Sequence, residues 1–408
     1  MSLNRRDFLK SSSLSLAALS MPKLVFGANP NNSNRDVLVV VFQRGGMDGL
    51  NAVVPYGDAD YYRLRPTIGL PRPGQGTGAV LDLDGFFGFH PSLAPLLPIY
   101  QAGQLAVVQA TGFKHESRSH FECQDRIERA TMATRSVTTG WLNRHLSVIG
   151  GDASFQSVAV GNALPGSLRG PAPVIGLRSI GDFTLQTQSK RKALLEAQLQ
   201  RLYDTNDLLA ATGTQALGSI DELSQANPLQ YPVEHGATYP NTTFGSQMQQ
   251  IAQLIKAGVG LEVASADIGG WDHHNNEAPQ MNTLLGELAN TLAAFHTDLG
   301  AVNMANVTVL TMTEFGRRAY QNASSGTDHG SAFCTIAMGG GVLGGQVYRA
   351  WPGLSDARLY NGDLDITIDY RDVLAEALSK RHGNSNLSSV FPDYTIGSPV
   401  GIFRPRGG

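Results

Sequence analysis

Val37-Leu38-Val39-Val40-Val41-Phe42 runs without a break into Gln43-Arg44-Gly45-Gly46-Met47-Asp48-Gly49-Leu50-Asn51. An unbroken apolar run, mostly β-branched, suits a strand covered on both faces, as in a parallel sheet. The glycine-rich polar segment behind it reads as a loop. The same alternation recurs along the chain. Leu105 to Gln109 reads as a strand, and Thr111-Gly112-Phe113-Lys114-His115-Glu116-Ser117-Arg118 as its loop. Ser119 then has the place of a helix N-cap, with Glu122 completing a capping box. Leu261 to Asp267 leads into Gly269-Gly270-Trp271-Asp272-His273-His274, and an amphipathic helix is predicted over roughly 281–299. Val307 to Met312 leads into Thr313-Glu314-Phe315-Gly316-Arg317, and Ala332 to Met338 is a fifth strand. Asp369 caps a last helix running to Lys380, with Gly383 at its stop. This pattern predicts an α/β fold, a mostly parallel central sheet flanked by helices. A single domain over 28–408 is expected, with a helical and loop insertion around 186–246.

The chain has 408 residues, 42% of them hydrophobic, enough for a sizeable core. Its 31 Lys and Arg nearly balance 34 Asp and Glu, without basic runs, which argues against nucleic acid as a partner. Two cysteines, Cys123 and Cys334, exclude a disulfide scaffold and a four-thiolate zinc site. They pair only if the segments holding Ser119 and His329 converge; otherwise they are buried free thiols.

Asn4-Arg5-Arg6-Asp7-Phe8-Leu9-Lys10, a modest apolar stretch from Leu14 to Leu19, and Val25-Phe26-Gly27-Ala28 have the shape of a twin-arginine signal peptide. Removal of 1–27 and a periplasmic or extracellular destination are expected. No later stretch approaches the ~18 consecutive apolar residues of a membrane span, so none is expected.

In open α/β sheets, ligands sit beyond the carboxyl ends of the strands. The densest polar clusters fall in those loops: Asp48/Asn51, Ser117/Ser119/His120, Asp272/His273/His274 and Glu314/Arg317. Gly326-Thr327-Asp328-His329-Gly330 precedes a strand instead, and must fold back to join them. Carboxylates and imidazoles converging from separate loops suit a divalent metal. Zinc or manganese fits the mixed set, and magnesium or calcium a carboxylate-and-water set. A serine at a helix N-terminus either caps the helix or faces an anionic substrate.

These five loop motifs, in this order, resemble the family called domain of unknown function 1501, placed in the alkaline phosphatase-like superfamily. The resemblance implies a three-layer sandwich with a metal site and a nucleophile at a helix N-terminus. It puts Asp48, Asp272, His274, Glu314 and His329 in metal-ligand positions. His274 is preferred to His273 by the family pattern. Ser119 stands in the nucleophile's place, with Ser117 its rival. Arg44, Asn51, Arg118, His120, His273, Arg317 and Asp328 are candidates for touching substrate or supporting the ligands. Two departures stand out. Phe315 occupies a position where the superfamily has a histidine ligand. Cys123-Gln124-Asp125-Arg126 lacks the proline of the formylglycine sulfatase motif.

The expected function is an exported metal-dependent hydrolase of an anionic ester, phosphate ahead of sulfate. The alternative is a catalytically degenerate protein on the same fold. It would bind a glycan or envelope component, or assemble with an exported protein partner through the segment 226–246. Gly339-x-Gly341-x-x-Gly344 matches a dinucleotide fingerprint in form only, since Gln346-Val347-Tyr348 reads as extended. No Gly-x-Ser-x-Gly elbow is present.

Overall fold

A computed structural model describes residues 36–132, 136–151, 153–183, 192–203 and 208–407. The leader at 1–27 and residues 184–191 of the insertion lie outside the described residues. The main sheet has nine strands: β1 (Val37–Arg44), β2 (Leu105–Gly112), β3 (Ser157–Val160), β4 (Ile175–Leu177), β5 (Val263–Gly269), β6 (Val307–Met312), β7 (Phe333–Gly339), β8 (Val347–Tyr348) and β9 (Ile368–Asp369). Their spatial order is β8-β2-β7-β6-β1-β5-β3-β4, with β9 also on β2. β1 is central, parallel to β5 and β6 on its two sides.

One strand runs the other way. β7 is antiparallel to both β6 and β2. The loop entering β7 therefore opens at the same rim as the loops leaving β1, β2, β5 and β6. This reversal brings the 326–330 segment to the rim without a long return.

The alternating side chains of β1 explain the layers. Val39 and Val41 face one core, with α5 (Thr243–Ala257) and α6 (Glu277–Met304). Leu38, Val40 and Phe42 face the other, with α1 (His120–Arg129), α2 (Trp141–Ile149) and α7 (Tyr370–His382). In α6, Met281, Leu285, Leu288, Leu292, Phe295 and Leu299 lie on one helical stripe and are buried. The helix is longer than its periodicity predicts, running from 277 to 304 with a kink at Gly300, where φ is +61. No described helix is long and apolar enough to cross a membrane.

The insertion holds two further helices, α3 (Lys192–Leu202) and α4 (Leu208–Ala226). They share a small core of their own around Leu199, Tyr203 and Ile220. The segment that follows is anchored to α6 through buried Asp298. Asp298 accepts from the Glu234 amide (2.7 Å), the Tyr239 hydroxyl (3.0 Å) and Lys256 Nζ (2.7 Å). The Lys256 side chain is itself buried, so removing this carboxylate would strand it without its ion-pair partner. Asp298→Ala is expected to destabilise the protein by about 3–5 kcal/mol and to expose 232–239 to proteolysis. Urea denaturation and limited digestion check both.

Candidate metal centre

The site begins with two glycines. Gly45 and Gly46 follow β1 at φ +125 and +75. A Cβ on Gly45 would lie 2.7 Å from the Asp272 amide nitrogen, and one on Gly46 2.4 Å from the Phe315 ring. The loops after β1 and β5 thus meet backbone to backbone, and the loop after β6 lays the Phe315 ring on Gly46. The Arg317 side chain fills the space among them and is fully buried. It donates to the carbonyls of Gly46 (2.6 Å), Gly45 (2.5 Å), Trp271 (3.0 Å) and Thr327 (3.0 Å). Its remaining contact is Asp272 Oδ1 at 2.7 Å.

Three imidazoles close on Asp272. Nε2 of His274 and Nε2 of His329 each lie 3.1 Å from Asp272 Oδ1, and 2.9 Å from each other. Nε2 of His120 is 3.4 Å from Asp272 Oδ2. The opposite ring nitrogens are each held by an acceptor. His120 Nδ1 meets Glu314 Oε1 at 2.8 Å, His274 Nδ1 meets Asp328 Oδ1 at 3.0 Å, and His329 Nδ1 meets the Arg118 carbonyl at 2.7 Å. With the proton on the nitrogen that faces the outer acceptor, each neutral ring turns its Nε2 lone pair inward.

That arrangement fits a divalent cation. His120 Nε2, His329 Nε2 and the Asp272 carboxylate converge, with His274 Nε2 beside the latter two, and His120 Nε2 is buried without a hydrogen-bond partner. His120, Asp272 and His329 offer ligand atoms within 4.8 Å of one another. Outer acceptors on each ring are the usual support of histidine metal ligands. Three nitrogens and one oxygen suit zinc among the common divalent ions. Phe315 walls the site, its ring centred 4.9 Å from His120 and 4.6 Å from His329.

The electrostatics agree with this geometry. Burial would raise the Asp272 carboxyl, but the hydrogen bond and charge of Arg317, with the neighbouring His329 and His274 rings, outweigh it and hold the group below the usual carboxylate range. Glu314 is likewise held below its usual range: burial is overcome by His120, Gln124 and the Gly45 amide. His120 is raised, first by its hydrogen bond to Glu314. His329 is lowered by burial.

Several expected site residues do other work. Glu314 is fully buried, and its oxygens accept from Gly45 N–H (2.8 Å), His120, Gln124 (3.0 Å) and Thr313 Oγ1 (3.1 Å). It orients His120 from behind and is not among the residues whose ligand atoms meet at the cluster. Asp48 lies in a separate buried network, with both oxygens on the Arg65 guanidinium. Asn51 joins that network through Tyr61 and Glu277. Arg44 is spent on Glu128 and Asp267, each at 3.0 Å. Arg118 is spent on Asp363 (2.7 Å) and the His329 carbonyl (2.5 Å). His273 is buried, and its carbonyl accepts from the Thr327 amide. His120 takes the inward position that the sequence reading gave to Glu314.

Ser119 stands exposed at the N-cap of α1, and its hydroxyl makes no cap bond, so the expected capping box does not form. Ser117 Oγ instead accepts from the Ser119 amide at 3.3 Å. Cys123 and Cys334 are free and buried, the second of the two readings left open for them. Burial pushes both thiols up to about 12. Asp363, absent from the sequence reading, holds both Arg118 and Ser331 Oγ. It follows no motif, so no sequence signal pointed to it.

The rim cluster and the sheet define an α/β protein with a candidate metal centre. The chain belongs to the family described as "Protein of unknown function (DUF1501)", whose profile matches residues 35–380. No curated protein is a significant match. Among solved structures, it is similar to the PsFucS1 sulfatase from Pseudoalteromonas sp., with 12% identity, TM-score 0.36, and 92% of this chain and 73% of that one covered. It is also similar to the PH0037 protein from Pyrococcus horikoshii, with 10% identity, TM-score 0.33, and coverage of 89% and 99%. A third is alkaline phosphatase from the Antarctic bacterium TAB5, with 10% identity, TM-score 0.26, and coverage of 77% and 95%.

Replacing Arg317 by Met removes a buried cation and strands four carbonyls. A loss of about 3–5 kcal/mol is expected, read as a lower urea midpoint at unchanged m.

Proposed function

We propose that the cluster binds one divalent cation through Nε2 of His120, His274 and His329 and the Asp272 carboxylate. We further propose that the protein is an exported metal-dependent hydrolase of an anionic ester, phosphate ahead of sulfate. The observation that carries this is the set of three inward lone pairs, each fixed by an acceptor on the far side of its ring. The leader around Arg5-Arg6 supports export to the periplasm or beyond.

A bound divalent cation supplies Lewis acidity, stabilising charge that develops on the ester oxygens. The protein's own groups do the rest. Glu314, Asp328 and the Arg118 carbonyl orient the three rings. Arg317 holds Asp272 ionised while leaving Oδ2 turned toward His120. Ser119, free of capping duty, presents its hydroxyl beside His120 as the attacking group. The first amides of the ten-residue α1 have no partner within the helix and favour an anion there. Phe315 keeps water from one side of the rings.

A second reading has one observation in its favour. Arg44, Arg118 and Arg317 are all committed to protein acceptors, which leaves substrate anchoring to Ser119 and the start of α1. That suits a binding protein for a glycan or envelope component, acting alone or with an exported partner. Turnover separates the two. Against aryl phosphates, phosphodiesters and sulfates, Ser119→Ala should lower kcat by about a hundredfold or more without loss of metal. Metal-independent glycan binding with no turnover in any metal form would favour the binding protein.

Elemental analysis should find about one divalent ion per chain, and His329→Ala or Asp272→Ala should weaken its affinity by at least tenfold. An intact fold with no ion taken up overturns the reading. The raised His120 also sets a pH dependence. A proton competes with the cation at this ring, so affinity should rise with pH through the neutral range. Calorimetry in buffers of different ionisation enthalpy should register proton release on binding. In the cation-free protein the sign reverses: while Glu314 stays ionised, the His120 contribution to folding is fully present below the unfolded-state value of His120 and is lost as pH rises through its raised folded-state value.

A further inference from the structure

Glu277 lies outside the cluster but is fully buried beneath it. It is the first residue of α6, three positions beyond His274. Its Oε2 accepts from Thr327 Oγ1 at 2.7 Å, and its Oε1 from Asn51 Nδ2 at 3.3 Å. Its carboxyl lies beside the Asp48 carboxylate, which carries Arg65 behind it. Around it the two ligand loops are zipped by their backbones. Asn276 N–H donates to the Ser324 carbonyl (3.0 Å), Glu277 N–H to Ser325 (2.9 Å) and Thr327 N–H to His273 (3.1 Å). Gly326 has no room for a Cβ against the His274 backbone, 2.4 Å away.

We infer that Glu277 is a positioning residue that clamps the loop carrying Asp272 and His274 to the loop carrying His329. His274 and His329 each turn one nitrogen into the cluster, 2.9 Å apart, and their chain segments are joined by the zipper with its inner carboxyl, by the His274–Asp328 hydrogen bond, by Asn322 Nδ2 donating to the His274 carbonyl and by Arg317 bridging Trp271 and Thr327. A clamp here sets the spacing of those two nitrogens without touching either ring. Two carboxylates beside one guanidinium leave a proton to be kept between them. Burial and the Asp48 charge put that proton on Glu277, so the group works as a neutral acid that both donates and accepts. A glutamine retains both capacities at nearly the same length. The consequence for cation binding rests on the proposed metal centre; the clamp itself does not.

Hydrogen exchange on the cation-free protein tests the clamp directly. In Glu277→Ala, the amides of Glu277 and Thr327 should exchange at least about tenfold faster, while Glu277→Gln should match the wild type. Zinc titration then reads the consequence. Affinity should fall about tenfold in Glu277→Ala and stay within about twofold in Glu277→Gln. Should Glu277→Ala fail to fold, Thr327→Val removes the single hydroxyl contact at constant shape and should speed the same amides. Unchanged exchange in Glu277→Ala or Thr327→Val overturns the clamp, as does a glutamine variant as damaged as the alanine one. Wild-type protein that binds no zinc overturns the metal reading instead, with the exchange result still deciding the clamp.

Discussion

One guanidinium sets the terms for everything at the rim of the sheet. Arg317 is buried among loop carbonyls that belong to three separate segments, at Gly45 and Gly46, at Trp271, and at Thr327. Loop ends carry carbonyls that no strand partner satisfies, and burying them unpaired is costly. A planar cation with five donors in a fixed fork answers several at once. Its positive charge then needs a carboxylate, and Asp272 provides it at the mouth of the site. The position of the Asp272 carboxylate and the packing of the loops are thus two results of the same interaction.

Outward from Arg317 the site is built in layers of decreasing burial. Glu314 is sealed and saturated with donors, so it can only orient. His120, His274 and His329 are partly open, each held at the far nitrogen. Asp272 is about half exposed and faces solvent. Rigid acceptors behind adaptable rings are what a cation site requires, because the ligands must be in place before the ion arrives. Phe315, which stands where a further ligand was expected, contributes an apolar wall instead.

Much of this was legible in the residues, but unevenly. The buried strands announced themselves through runs such as Val37–Phe42, whereas β3 and β4, of four and three residues, were too short to show a period. The loops with the right chemistry were visible because Asp and His have few packing uses in a glycine-rich turn. Which of their side chains point inward was not. Glu314 and a ligand carboxylate look alike in a sequence; they differ only in how many donors surround them. Asp48 read as a ligand because its partner Arg65, seventeen residues on, sits in no motif. His120 read as a flank because its inward turn depends on Glu314, far away in the chain. The direction of β7 was equally hidden, since alternation carries no arrow.

The placement of β2 has a consequence for how the chain is made. Every strand that pairs with it, β7, β8 and β9, lies beyond residue 332. On a ribosome, this fully buried eight-residue strand emerges early and stays without a neighbour until roughly two hundred more residues have followed. The nascent protein therefore carries an adhesive edge through most of its synthesis, a natural handle for a holding chaperone. Ser119 and His120, just past that strand, are brought opposite His329 only as the C-terminal third closes the gap. Assembly of the cluster is thus coupled to completion of the sheet, and a truncated product would hold its halves apart.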